Sequence, residues 1–330
     1  MLLLVGTLAS LSAASAAAQT DPATDPWTGS PAQRVAGLAT IWAEAKYAFP
    51  SFDHVPGLDW DRSFREYVPR VLEAADRDAY YLVLMEFAGL LADGHTCVVP
   101  PWGYLKPEDD SPPLEVEVVA GSFLVARAAE TPELEAAGVR PGLEILAIDG
   151  TPVRTYFEES VNRYYPRGSA HANDALNIVY LLRGPRGSTV NLTVADEGGP
   201  ARDVTLSRDS AQADGSPFLP RVLQGMLAES PLEARSLPGG VTYLRLAHFN
   251  DPSLADRFLA VLDSLAPDGA GGLLIDMRFT LGGRSDVAEK MIGALIDAPV
   301  SSPRWRYPHY VAARLNWGEA PEWSTVSRMI

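Results

Sequence analysis

The stretch that most limits how this chain can fold runs from residue 239 to residue 291. Two apolar runs, GGVTYLRLAHFN at 239–250 and GGLLIDMRFTLGG at 271–283, flank a segment from Leu254 to Leu265 with helical apolar spacing. Two strands joined by a helix-length crossover pair in parallel, and strands covered on both faces read as near-continuous apolar runs. A second helix follows the double glycine, so the reading is a β-α-β-α unit with strands buried on both faces. Ligand-contacting groups gather at the carboxyl ends of such strands. Asp276, Arg278, Gly282 and Gly283 stand there. Backbone N–H groups at a glycine turn that opens a helix form a donor pocket for an anion or a developing oxyanion. Dinucleotide binding is the rival use, but two adjacent glycines lack the spaced third glycine of that fingerprint.

From Pro112 the chain is β-rich. The runs LEVEVV, FLVARAA, EILAIDG and TVNLTVAD are separated by Gly and Pro, with a helix expected near NDALNIVYLLRG. Gly138, Gly142 and Gly150 fall at turns, where glycine is free to take positive φ. Before this region lie three amphipathic helices with short connections, which make a helical bundle. The first opens on a capping box of Ser30, Pro31 and Gln33 and carries Ile41, Trp42, Ala45 and Phe49 at helical spacing. The second presents Trp60, Phe64, Tyr67 and Val71, and the third runs from about Ala79 to Leu91.

The first 18 residues read as a secretory signal, with Ala16 and Ala18 placed for cleavage before Gln19. A membrane anchor is the weaker alternative, because the apolar stretch is shorter than the ~20 residues a spanning helix needs. The protein is therefore expected to be exported, periplasmic or extracellular, with no membrane span after signal removal. Residues 19–29 form a polar linker. The 27 basic against 42 acidic residues give a net charge of -15, which excludes nucleic acid as a partner because it repels phosphate backbones. The single cysteine, Cys97, rules out a disulfide framework and a cysteine-rich zinc site, and is expected to be buried. His54, His171, His248 and His309 show no metal-ligand spacing. No metal and no cofactor are expected.

His95, in LADGHT, follows the third helix and a glycine suited to a left-handed cap. Two readings stay open: a capping or surface histidine, or a general base, since imidazole titrates near neutral pH.

The ordered series of an Ala-Gly-Val-Arg-Pro-Gly turn at 137–142, a strand ending in Ile148-Asp149-Gly150, a helix and an Arg-Gly-Pro turn resembles a PDZ domain of the type found in bacterial proteases. Leu143 stands where such domains usually carry Asp. The resemblance implies peptide binding by strand addition along LEVEVV, through Leu114, Val116 and Val118; a module that only packs against its neighbour is the alternative. Together with LADGHT and the turn Asp276-Met277-Arg278-Phe279-Thr280-Leu281-Gly282-Gly283, the chain is similar to the S41 peptidases, the tail-specific or C-terminal processing proteases and their tricorn-like relatives. That family has Asn where Thr280 stands.

The resemblance implies a multidomain α/β chain: a helical domain at 30–101, a PDZ-like domain at 110–208, and at 209–330 the incomplete start of an α/β protease core. It makes His95 the general base and Gly282 and Gly283 the oxyanion donors. Asp276 and Arg278 brace the turn, whether as a structural salt bridge or in contact with substrate. The substrate is a protein or peptide. The family's nucleophilic serine lies one strand beyond the Gly-Gly helix, and the sequence stops at EWSTVSRMI before such a turn. Ser285 suits an N-cap, and Ser324 and Ser327 lack flanking small residues. The expectation is a chain that ends short of its nucleophile, with an unpaired sheet edge and no activity alone. The alternative is a non-catalytic peptide- or hydrophobic-ligand-binding protein on the same scaffold, as in the retinoid-binding proteins of the eye.

Overall fold

A computed structural model describes residues 29–330 apart from 104, 227, 229, 266–271, 279, 281, 302–304, 310–321 and 327–330. The signal-like stretch at 1–18 and nearly all of the linker lie outside the described residues, as does Ser327. The chain divides into two compact units. The first gathers Phe52–Val222 with residues 29–43, and the second gathers Leu223–Ile330 with Glu44–Ser51.

The first unit opens with helix α1 (Pro31–Ala48), whose residues from Glu44 on fall in the second unit, followed by α2 (Trp60–Glu73) and α3 (Arg77–Gly89). The capping box forms as read: the Ser30 N–H donates to Gln33 Oε1 at 2.9 Å and the Gln33 N–H to Ser30 Oγ at 3.3 Å. Asp59 and Asp76 cap α2 and α3 by accepting from the N–H groups of Arg62 and Ala79. Asp76 sets the start of α3 two residues earlier than the apolar spacing suggested. Trp60 stacks on Phe87 with ring centroids 4.2 Å apart, and Tyr67 lies against the same ring. The apolar faces of α2 and α3 thus meet through aromatic contact, which contributes beyond area burial.

The β-rich region of the same unit is a sheet in the order β1 (Leu114–Val119), β2 (Ser122–Ala128), β3 (Glu144–Ile148), β4 (Thr189–Ala195) and β5 (Arg202–Ser207), all neighbours antiparallel. The sequence reading missed β5, whose short Asp203-Val204-Thr205-Leu206 alternation sits among polar residues. The helix expected near Asn173 is α6 (Ala170–Leu176), continued by a 3₁₀ turn over Asn177–Tyr180; α4 (Pro132–Ala136) and α5 (Val153–Phe157) precede it. Gly138, Gly142 and Gly150 take positive φ as expected. Leu143, at the PDZ Asp position, is a core residue packed with Phe123, Ile145, Phe157 and Leu192.

The second unit holds the crossover. Strand β6 (Leu232–Ser236) runs antiparallel to β7 (Thr242–Leu246); helix α7 (Leu254–Asp263) returns the chain to β8 (Leu273–Asp276), which is parallel to β7; and α8 (Ser285–Gly293) follows. Leu244, Leu246, Phe249, Leu254, Phe258, Val287 and Met291 form the core. The expectation of strands buried on both faces fails for β8. It is an edge in the order β8-β7-β6, and Leu274 is 45% exposed. The antiparallel β6 was also not foreseen. Farther on, Trp305–His309 pairs antiparallel with Glu322–Val326. Among the described residues no helix is long and apolar enough to cross a membrane, and no cluster of acidic, His or Cys side chains could hold a metal.

Candidate functional site

The turn after β8 is built from its buried carboxylate outward. Asp276 is 8% exposed and accepts four hydrogen bonds. Its Oδ1 takes the Arg278 N–H and Nε, both at 3.0 Å, while Oδ2 takes Arg278 Nη2 at 2.8 Å and the Tyr243 hydroxyl at 2.7 Å. The hydrogen bonds from Arg278 hold this carboxyl well below the usual carboxylate range, against the opposing effect of burial, and Tyr243 adds to them. Tyr243 is in turn raised, first by its bond to Asp276 and then by burial. Asp276 and Arg278 are therefore brought together as a structural pair that folds the chain back on itself at the strand end.

Thr280 ties the next part of the turn down. Its hydroxyl donates to the Leu246 carbonyl at 2.6 Å, and its N–H donates to the Met277 carbonyl. The residue at the family's Asn position thus supplies a side-chain link to the end of β7. Beyond it, the Phe249 N–H donates to the Gly282 carbonyl at 2.8 Å and the Arg284 N–H to the Phe249 carbonyl at 3.1 Å. This is a one-residue parallel bridge between Phe249 and Gly283.

The two glycines serve different geometric needs. Gly282 has φ +75°, and no described residue lies within 4 Å of where a Cβ would stand. Gly283 has φ +143°, and a Cβ there would lie 2.5 Å from the Phe249 carbonyl carbon and 2.8 Å from both the Asn250 N and its Oδ1. Only glycine fits that approach. Both residues are exposed. Among the described residues neither N–H donates to a protein acceptor. The arrangement can offer main-chain donors to an anionic oxygen with no rearrangement of the turn. Phe249, Asn250 and Tyr243 are parts of the site that sequence reasoning missed; the apolar pattern marks Phe249 and Tyr243 as strand or core residues and carries no sign of the bridge.

His95 lies in the first unit, in a turn six residues past the end of α3. Gly94 is not the left-handed residue; that is Ala92, with φ +49°. Asp93 closes the turn, accepting from the His95 N–H at 3.2 Å and the Thr96 hydroxyl at 2.7 Å. The His95 side chain is exposed and, among the described residues, its ring has no hydrogen-bond partner. Cys97 is exposed, against the expectation of burial, because it lies in this surface loop and not in a helix or strand. Leu114 and Val116 point into the core of the β-rich sheet and Val118 packs against it, so β1 offers its main chain at the sheet edge and not these side chains. His248 accepts the Asn250 N–H through Nδ1 at 3.3 Å. Ser285 is the first residue of α8 and not its cap, which is Arg284.

No family model and no curated protein matches this chain. Among solved structures it is similar to mature CPAF, both alone and complexed with lactacystin. Each match has a TM-score of 0.59 and 17% identity and covers 87% of this chain, against 63% and 64% of those chains respectively. The chain thus spans less than two thirds of the length of these structures. A photosystem II D1 C-terminal processing protease matches over 82% of this chain and 67% of its own at 18% identity, with a TM-score of 0.37. What the chain shares with CPAF at this identity is the fold.

Proposed function

We propose that the protein is an exported serine-type endopeptidase of the S41 kind, acting on unfolded or C-terminal peptide segments. The observation that carries this reading is the turn at Gly282 and Gly283, whose main-chain N–H groups have no protein acceptor among the described residues and which the Phe249 bridge ties to the end of β7. Such donors stabilise the oxyanion of a tetrahedral intermediate without reorganising as charge develops. The CPAF-like fold and the histidine turn after the third helix support the same reading.

In this mechanism His95 takes the proton of a serine hydroxyl as its oxygen attacks the scissile carbonyl carbon. The N–H groups of Gly282 and Gly283 receive the oxyanion, and the imidazolium then protonates the leaving amine. The peptide adds as a strand along β1, where main-chain groups give affinity with little dependence on sequence. No serine of the 330 residues is assigned the nucleophile's role.

Peptide hydrolysis and fluorophosphonate labelling by the full-length protein are the tests, with lactacystin, the compound in the CPAF complex, as a further probe. Serine labelling of the protein together with cleavage of unfolded substrates is expected. Absence of hydrolysis by the protein overturns the peptidase reading.

A further inference from the structure

We propose that Arg167 and Asn177 are positioning residues for His95, acting through the main chain of residues 163–168; the inference rests on His95 being the general base. The His95 loop runs along that segment at three glycines. A Cβ on Gly89 would stand 2.6 Å from the Arg163 carbonyl oxygen, one on Gly94 would stand 3.0 Å from the Arg167 carbonyl oxygen and 3.2 Å from its Cα, and one on Gly168 would stand 3.6 Å from the Ala92 carbonyl oxygen. Gly94 does not have a positive φ, so what requires glycine there is the close approach of Arg167. His95 is the next residue. Because its ring has no partner among the described residues, the backbone of 92–96 sets where the imidazole stands.

The supporting segment is held from inside the β-rich region. Asn177 is fully buried and uses both sides of its amide. Its Nδ2 donates to Asn162 Oδ1 at 2.9 Å and to the Tyr165 carbonyl, and its Oδ1 accepts Arg167 Nε at 2.9 Å. The Arg167 N–H donates to Asn173 Oδ1 at 2.8 Å. Arg167 is thus pinned at its main chain and at its guanidinium. At the other end of the segment Arg163 pairs with Glu86 of α3 at 2.6 Å. A fully satisfied buried polar network rigidifies what it holds, and here the part it holds is the surface against which Gly94 rests.

A general base must reach its proton within about 2.6–3.2 Å, and a misplacement of about 1 Å can cost on the order of 10²-fold in rate. Residues that fix the loop should therefore change kcat and leave KM alone.

The experiment is steady-state kinetics of the full-length protein bearing Gly94→Ala and, separately, Arg167→Met, which keeps the aliphatic stem and removes the bond to Asn177. His95→Ala is the reference. The expected result is a kcat per folded molecule lowered by about 10- to 100-fold in both variants, with KM unchanged, a melting temperature lowered by the unpaired Asn177 oxygen or the crowded methyl, and a pH–rate profile lowered in height without displacement of its acid limb. If His95→Ala keeps wild-type turnover, the general-base reading fails and this inference falls with it. If His95→Ala is inactive while both other variants keep wild-type kcat, the positioning role alone is overturned. Loss of activity only in proportion to the unfolded fraction, in either variant, also overturns it.

Discussion

The glycine turn and the histidine loop bring a main-chain group and a side chain to the proposed chemistry by opposite means. At Gly283 the backbone has positive φ and touches Phe249 and Asn250, and the carboxylate seven residues earlier, Asp276, spends its oxygens on four internal hydrogen bonds. At Gly94 the backbone does not have a positive φ, the close approach is to Arg167, and the residue that follows is an exposed imidazole with no side-chain partner among the described residues. A donor that must not reorganise is fixed by its own unit's strands. The proposed proton acceptor is exposed, and among the described residues it is held through its backbone.

Substitutions at the two loops can break this comparison. The largest effect is expected from His95→Ala: turnover falls by about 10²–10⁴-fold, while thermal melts stay at the wild-type value because the side chain is exposed and its ring has no hydrogen-bond partner among the described residues. A destabilised His95→Ala protein would show that the imidazole has a packing role after all.

Gly283→Ala comes next. The new methyl has to displace Phe249 or Asn250 main chain, so both functions of the turn suffer: kcat drops by about 10²–10³-fold as a donor is turned away, and the melting temperature falls with it. Circular-dichroism melts alongside kinetics separate the two losses, and activity per folded molecule equal to wild type would confine Gly283 to packing.

A smaller effect distinguishes the braced side of the comparison by pH. The Asp276 carboxyl titrates below its unfolded value of about 3.9 because Arg278 and Tyr243 bond its ionised form. Its stabilisation is therefore complete above about pH 5 and is lost as pH falls below the unfolded value, where the unfolded chain takes up the proton first. Asp276→Asn should cost about 1–3 kcal/mol at neutral pH and flatten the acid side of the stability curve. An unchanged acid limb in urea titrations at stepped pH would show that the pair contributes nothing to folding.

The smallest effect is expected at Gly282. Among the described residues nothing lies within 4 Å of a Cβ there, so Gly282→Ala meets only the left-handed backbone penalty of about 1–2 kcal/mol. Most of kcat should survive once folded protein is counted. Losses matching those of Gly283→Ala would mean that conformation, and not contact with Phe249, controls the turn.

Several of these features were legible in the residue order. The capping box at Ser30 and Gln33, the aromatic faces of α2 and α3, the turn glycines of the β-rich sheet and the parallel pairing of β7 with β8 follow from local chemistry and short-range periodicity, which depend on neighbours a few positions apart. The two glycines after β8 were legible as a turn for the same reason. Others were not. The Thr280 hydroxyl reaches Leu246, Phe249 bridges Gly283, Arg167 supports Gly94 and β8 leaves Leu274 exposed, and each of these joins or separates residues tens of positions apart. The sequence alone determined the three N-terminal helices, the first four strands of the β-rich sheet and the strand–helix–strand–helix order around β7 and β8, because φ, ψ and apolar spacing are local properties; β5 and β6, whose apolar alternation is short, were not among them. Only the tertiary structure decided which glycine is sterically obligatory and what holds the histidine loop, because those depend on which backbone is packed against which.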